Sequence, residues 1–295
     1  MPNLQRPTIS HRNVAISAQP LTAGPIGIFD SGFGGLTVLR DIRRRLPLYD
    51  YIFLGDNARA PYGDLSFETV YRYTLQGVKH LFSRGCNLVI LACNTASAKS
   101  LRSIQQHDLP RLAPARRVLG VIRPTTEIVG TLSKSRHVGL LATRGTVNSG
   151  SYAIEIQKFF PNVTLTSLPA PMLVPIVENF EYESPGADFF VSHYASQLLS
   201  LDPLIDVVIL GCTHYPFLLP KLRRFFPPSV RLMPQGEWVA RSLADYLLRH
   251  PEIEHVCTRN SSCLFLTTDT AEHFDPTASR FLNLPVKSRH VSIDC

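Results

Sequence analysis

The chain has 295 residues, of which 44% are hydrophobic and 18% charged, and its formal net charge is +7. This length predicts about two domains, and the composition excludes a disordered chain. The excess of basic residues favours anionic ligands, but it is too diffuse to indicate nucleic acid, so no nucleic-acid partner is predicted.

The N-terminal residues 1–24 are predicted to form a flexible polar tail, since they lack the continuous apolar centre of a secretory signal. No apolar run reaches the ~18 residues of a membrane span, so no membrane partner is predicted and a cytoplasmic location is expected. Six cysteines are few for a disulfide framework. They are expected to be free thiols.

Short apolar runs along the chain predict buried strands: PIGIFD, YIFLGD, NLVILACN, VLGVI, HVGLLAT, NVTLTSLP, DVVILGCT and VRLMP. Helices are predicted between several of them: Leu36–Leu46, Phe67–Phe82, Ala96–Gln106, Ser149–Phe160, Ala187–Ser200 and Glu237–Leu248. Alternating strands and helices predict an α/β fold with mainly parallel sheets flanked by helices.

Two pairs of segments resemble each other. VILACNTA around Cys93 resembles VVILGCTHYP around Cys212, and GIFDSG from Gly27 resembles GLLATRG from Gly139. We interpret this as two similar lobes, each with one cysteine where a strand ends and a helix begins, and an active site in the cleft between them. The alternative is that both cysteines are small core residues.

Two thiols across a cleft suit the removal of a proton from one face of a carbon and its return to the other face. Asn94, Thr95 and Thr213 follow the cysteines and can cap a helix or bind a carboxylate. His214 lies two residues after Cys212, so it either supports the thiol or has a structural role.

A glycine-rich turn, Ser31 to Gly35, follows Asp30 at the end of the first predicted strand and can present N–H groups to an anion. Asp30 either assists proton transfer, anchors an ammonium group or only starts a helix. The segment that contains Tyr62 and Gly63 can form part of the cleft wall. Nucleotide-binding glycine motifs and paired metal-ligand spacings are not found, so no metal is predicted.

Four motifs together resemble glutamate racemase, a member of the aspartate/glutamate racemase family: Asp30 to Val38, Pro61-Tyr62-Gly63, Cys93 to Ser97 and Gly211 to Pro216. The resemblance extends from Pro25 to Leu284. It implies catalytic roles for Cys93, Cys212, Asp30, His214 and Glu178. It also implies substrate contacts for Asp30, Ser31, Tyr62, Gly63, Asn94, Thr95, Thr213 and His214.

The resemblance implies interconversion of L-glutamate and D-glutamate without a cofactor, supplying D-glutamate for peptidoglycan. The first-lobe cysteine would take the α-proton of D-glutamate and the second-lobe cysteine that of L-glutamate. The implied lobes are residues 25–118 plus 238–295, with Cys93, and residues 119–237, with Cys212. A homodimer is implied, and the need for a peptidoglycan precursor as activator stays open.

Two segments depart from the family pattern. Arg123 and Thr125 stand where an acidic residue and glycine are expected, and Met233–Ala240 replaces a stretch that usually contains Asp-Ser. Three alternatives stay open: an aspartate racemase, acyl transfer with Cys212 as nucleophile and His214 as base, and a two-lobed binding protein without catalysis.

Overall fold

The computed structural model describes residues 21–293. Its first sheet has six strands, and every adjacent pair is parallel. The strands are β1 (Ile26–Asp30), β2 (Tyr51–Gly55), β3 (Leu88–Leu91), β4 (Arg117–Gly120), β9 (Cys263–Thr267) and β10 (Ser288–His290). Their order across the sheet is β10-β9-β2-β1-β3-β4. Residues from both ends of the chain therefore build one sheet.

The second sheet has four parallel strands: β5 (His137–Ala142), β6 (Thr164–Pro169), β7 (Val207–Gly211) and β8 (Arg231–Met233). Their order is β6-β5-β7-β8, which matches β2-β1-β3-β4 of the first sheet. The internal similarity of the sequence thus corresponds to two sheets of related topology, and the predicted α/β class with two similar lobes is confirmed.

Thirteen α-helices occur in the part of the chain that the structure describes: α1 (Gly35–Arg45), α2 (Phe67–Ser83), α3 (Asn94–Ser103), α4 (Leu109–Leu112), α5 (Ile122–Leu132), α6 (Arg144–Asn148), α7 (Ser151–Phe159), α8 (Leu173–Glu178), α9 (Pro185–Leu201), α10 (Leu219–Phe225), α11 (Gly236–Arg249), α12 (Pro251–Glu254) and α13 (Ala271–Leu282). A π-helical segment, Ile104–Asp108, joins α3 to α4, so helical structure continues beyond the predicted end at Gln106. None of the helices described is long and apolar enough to cross a membrane.

Burial explains the continuous apolar runs. All residues of β1, β2 and β7 are buried, as expected for parallel strands covered by helices on both faces. The carboxyl ends of β1 and β3 are adjacent in one sheet, and those of β5 and β7 in the other. Each sheet therefore presents two neighbouring strand ends at one edge.

The structure departs from the predicted lobe limits at two places. Residues 1–20 of the predicted tail lie outside the described residues, but Gly24 is buried and pairs with Cys257 in a β-bridge. Its backbone N–H donates to Val256 and its carbonyl accepts from Thr258, so residue 24 belongs to the folded part. The limit after residue 118 falls within β4, which ends at Gly120. The division into lobes otherwise stays a prediction.

Candidate active site

A cavity lies where the strand ends of the two sheets meet. Ser31 and Cys93 follow β1 and β3 of the first sheet, and Thr143 and Cys212 follow β5 and β7 of the second. All four line the cavity, which has about 660 Å³ of empty space and opens to solvent. The strand ends of parallel sheets are the usual location of ligand sites in α/β folds.

Ten of the residues predicted for the site line this cavity: Ser31, Tyr62, Gly63, Cys93, Asn94, Thr95, Glu178, Cys212, Thr213 and His214. Asp30 does not line it and lies behind the wall. The structure therefore brings together residues that are far apart in the sequence and come from both sheets.

Cys93 is the N-cap residue of α3, and its sulfur has two hydrogen-bond donors. The Ser31 hydroxyl donates to Sγ at 3.3 Å, and the backbone N–H of Ala96 donates at 3.4 Å. Burial, and then the charge of Asp30, raise the pKa of Cys93 to about 12, against the opposing effect of these two donors. At neutral pH, Cys93 is a thiol in this state of the protein.

Cys212 has a different partner. Its sulfur lies 3.7 Å from His214 Nδ1, and His214 Nε2 lies 2.9 Å from Glu178 Oε1. Burial alone would lower the pKa of His214, but the hydrogen bonds to Cys212 and Glu178 raise it to about 10. A protonated imidazole has two N–H groups, and in this geometry one is directed to the Glu178 carboxylate and the other to the Cys212 sulfur.

Asp30 is 1% exposed, and its carboxyl group interacts electrostatically with both Cys93 and His214. Oδ2 accepts from the backbone N–H of Gly32 at 3.0 Å, whereas Oδ1 has no hydrogen-bond partner among residues 21–293. Burial raises the pKa of this carboxyl group, opposed by the charge of His214 and by backbone N–H groups. Asp30 thus lies behind the cavity wall, next in the chain to Ser31, which lines the cavity.

The hydroxyl of Thr95 bonds across the cleft to the hydroxyls of Thr143, at 2.9 Å, and Thr146, at 3.3 Å. On another wall, the Tyr62 hydroxyl donates to Asp56, whose carboxylate is also held by Arg59. These contacts fix cavity side chains from both sheets in one arrangement.

Sequence reasoning missed Thr143 and Arg144, which line the cavity beside Gly63. A signal for Thr143 was present, because it follows Gly139 by the same interval as Ser31 follows Gly27 in the matched segments. No such signal exists for Gln235 and Tyr152, which contact Asn94 behind the wall.

Most of the chain matches one known protein family. Residues 37–237 match the family described as Asp/Glu/Hydantoin racemase. The chain belongs to this family, and its class is therefore the amino-acid racemases.

Within this family, the chain is similar to curated and structurally characterised glutamate racemases. The chain is 37% identical to the glutamate racemase of Shouchella clausii over 269 residues, which cover 90% of this chain and 92% of that protein. The resemblance to glutamate racemases predicted from the four motifs is thereby confirmed.

Two crystal structures extend the comparison. Glutamate racemase of Francisella tularensis in complex with D-glutamate aligns with a TM-score of 0.81 at 32% identity, covering 92% of this chain and 98% of that one. The Escherichia coli enzyme in complex with L-glutamate and the activator UDP-MurNAc-Ala aligns with a TM-score of 0.69 at 28% identity, covering 90% and 96%.

Proposed function

We propose that this protein interconverts L-glutamate and D-glutamate, with Cys93 and Cys212 as the two acid/base groups. The observation that carries the proposal is that both sulfurs line one cavity, each supplied by a different sheet. Inversion at the α-carbon needs one group that removes the proton and a second, on the opposite face, that returns one.

The two thiols differ in a way that suits this chemistry. The sulfur of Cys212 lies beside the His214 imidazole, which Glu178 holds, whereas burial and the charge of Asp30 keep Cys93 protonated. With L-glutamate bound, the Cys212 thiolate takes the α-proton and the Cys93 thiol delivers its proton to the other face. After one turnover, Cys93 is the thiolate, which is the state that accepts D-glutamate.

The carbanion formed between these steps needs stabilisation of the negative charge that develops at the α-carboxylate. Cys93 caps α3, so the first N–H groups of that helix, at Asn94 and Thr95, lie beside the cavity. Together with the side chain of Thr213, they supply donors to the carboxylates of the substrate. Tyr62 and Gly63 form the facing wall.

Acyl transfer is the rival activity that has an observation in its favour. The 3.7 Å and 2.9 Å contacts that link Cys212, His214 and Glu178 are those of a nucleophile, a base and an orienting acid. This activity gives no role to Cys93 or to the hydrogen bond that it accepts from Ser31. A two-thiol reaction uses both halves of the site.

The biological setting is part of the proposal. D-Glutamate made in the cytoplasm would supply peptidoglycan synthesis, and the enzyme would act as a homodimer. Activation by a peptidoglycan precursor is supported by the ligand of the Escherichia coli relative. A second cavity adds support, because Lys99, Arg102 and Arg249 line it and suit a pyrophosphate. Arg123 and Lys158 also line it, but they are paired with Glu127 and Glu155 of the same lining.

The first experiment follows circular dichroism of L-glutamate and then of D-glutamate with purified protein, without added cofactor. Wild type should abolish the signal of both enantiomers, and Cys93→Ser should lose at least ~100-fold of this activity. Turnover of L-aspartate instead would assign the aspartate racemase, and hydrolysis that survives Cys93→Ser would assign acyl transfer. If neither amino acid is turned over, the result would favour the alternative of a two-lobed binding protein without catalysis.

Two further measurements complete the test. In D₂O, deuterium should enter the product enantiomer while early unreacted substrate stays unlabelled, because separate groups remove and return the proton. Repeating the assay with UDP-MurNAc-Ala tests activation, and light scattering after size-exclusion chromatography tests the dimer.

A further inference from the structure

Three hydrogen bonds join Asn94, Gln235 and Tyr152 in a closed ring behind the cavity wall. Asn94 Nδ2 donates to Gln235 Oε1, Gln235 Nε2 donates to the Tyr152 hydroxyl, and that hydroxyl donates to Asn94 Oδ1, each at 2.7 Å. All three side chains are buried. Since each group donates to the next, the direction of one bond fixes the direction of the other two.

The direction of the ring is set by the backbone carbonyl of Val121. Gln235 Nε2 lies 3.2 Å from this oxygen and 2.9 Å from Thr125 Oγ1, whose hydroxyl is 3.3 Å from the same carbonyl. A carbonyl oxygen only accepts hydrogen bonds, so the nitrogen of the Gln235 amide faces α5. Its oxygen then faces Asn94, and Asn94 must present its own nitrogen there.

This arrangement determines which group Asn94 offers to a ligand. Its amide oxygen is occupied by Tyr152, and one of its two N–H groups is occupied by Gln235. One N–H therefore remains on a residue that lines the cavity between Cys93 and Cys212. The opposite amide orientation would bring a lone-pair acceptor to the same place, which would repel a carboxylate.

We propose that Gln235, together with Tyr152, is a positioning residue that holds the Asn94 amide as a hydrogen-bond donor for the α-carboxylate of the substrate. This inference rests on the proposed function. Gln235 touches no substrate in this arrangement and acts only through Asn94.

The ring and the Val121 carbonyl that orients it involve both segments in which the chain passes between the two sheets. Val121 follows β4 on the way to the second sheet, and Gln235 follows β8 on the way back. The two segments that depart from the family pattern contribute Thr125 and Gln235, which contact each other here. Donor orientation in the cavity is thus tied to both crossover segments.

The test uses Gln235→Met, which keeps the length of the side chain without its polar atoms, and Tyr152→Phe, which removes one hydroxyl. Each should raise KM for L-glutamate and for D-glutamate about 10-fold or more, with a smaller fall in kcat, because hydrogen bonds to charged groups are stronger than neutral ones. Gln235→Glu should have a larger effect, since a carboxylate cannot donate to Val121 or Tyr152.

A matched control is Tyr51→Phe. Tyr51 is equally buried in the first sheet, but its hydroxyl donates to the carbonyl of Leu46, away from the cavity. It should lose stability to a similar extent in thermal unfolding, with KM unchanged. A structural effect alone would therefore move the unfolding temperature and not KM.

Combination with Asn94→Ala isolates the route of the effect. In that background, Gln235→Met should change KM less than 2-fold, because the residue through which it acts is gone.

The inference is overturned if wild type racemises glutamate while Tyr152→Phe and Gln235→Glu leave KM within 2-fold, or if the effect persists without Asn94. If wild type does not racemise glutamate, the proposed function fails first and the inference falls with it. Tyr152→Phe carries the test should Gln235→Met not fold.

Discussion

Glu178 Oε1 accepts a hydrogen bond from His214 Nε2 at 2.9 Å, which leaves the other ring nitrogen of the imidazole for the sulfur of Cys212. Glu178 and His214 come from different segments of the second lobe, at the end of α8 and just after β7. The contact joins a partly exposed carboxylate to a buried histidine. The protonation state of His214 therefore depends on Glu178.

Glu178→Gln should lower the pKa of His214 from about 10 toward its ordinary value of 6.5, because the variant removes the anion that stabilises the imidazolium. The protonated ring is present below its pKa and lost above it, so the alkaline fall of kcat/KM should move to lower pH. At pH 8 we expect a loss of about 10–100-fold. NMR titration of the ring and the pH profile of kcat/KM measure the two effects.

The control is Glu181→Gln, which makes the same charge change at an exposed position three residues later. It should leave both the ring titration and the pH profile as in wild type. An unshifted His214 in the Glu178→Gln variant would contradict the assignment of this carboxylate as the group that holds the proton on His214.

Asp30 offers a test of the opposite thiol. The charge of this buried carboxylate adds to burial in raising the pKa of Cys93. Asp30→Asn should lower that pKa from about 12, so the Cys93 thiolate forms at lower pH and the rise of kcat for D-glutamate with pH should move to lower pH. KM should change little, because Asp30 does not line the cavity. Thiolate absorbance near 240 nm follows the titration, and Cys93→Ser identifies the step that belongs to Cys93. A large rise in KM with an unchanged titration would instead make Asp30 a substrate anchor.

The sequence predicts that the two cysteines lie at the site, because local sequence patterns place each of them at the end of a strand. Each lies at the end of an apolar run and before a helix start, and the two segments resemble each other. Parallel sheets then bring such strand ends to one edge. The same logic extends to Ser31 and Thr143, which take equivalent places in the matched segments.

Contacts that depend on the packing of distant segments could not be predicted. Gln235 reaches Asn94 only because α11 and α3 begin beside each other at the junction of the two sheets. No periodicity or spacing encodes that contact. The family resemblance implies catalytic roles for Glu178 and His214. It does not predict the hydrogen bond between them, which only the fold shows.

Thr143 joins helix capping to the cleft. Its hydroxyl accepts from the backbone N–H of Thr146 at the start of α6 and bonds to Thr95 of the other sheet. Thr143→Val keeps the shape but loses both bonds, so unfolding should cost about 1 kcal/mol less than in wild type. KM for glutamate should rise because Thr95 loses the nearer of its two hydroxyl partners and keeps only Thr146 at 3.3 Å. Thermal unfolding and steady-state kinetics measure the two changes.

Thr143→Ser is the matched control, since it keeps the hydroxyl and removes a methyl group. It should restore the cap and most of the affinity for substrate. Equal KM values for Thr143→Val and Thr143→Ser would show that the hydroxyl does not position Thr95.

Gly34 allows the two halves of the site to approach each other. A Cβ at this position would lie 2.6 Å from the ring of His214 and would also overlap the hydroxyl of Thr213. The approach is held by the hydroxyl of Thr37, which donates to the carbonyl of Thr213 at 2.9 Å. Gly34 therefore lies where the first turn of one lobe meets the cysteine-bearing turn of the other.

Gly34→Ala should destabilise the fold by about 1–3 kcal/mol and reduce kcat by more than 10-fold, because the methyl group must displace Thr213 and the His214 ring, whose Nδ1 contacts Cys212. Gly186→Ala is the control: it lies exposed in the first turn of α9, where a Cβ would meet only Ser184 at 3.5 Å. That variant should unfold at the wild-type denaturant concentration or slightly above it. Urea unfolding and kcat for both enantiomers distinguish the two variants, and full activity of Gly34→Ala would refute close packing of the lobes as a requirement for catalysis.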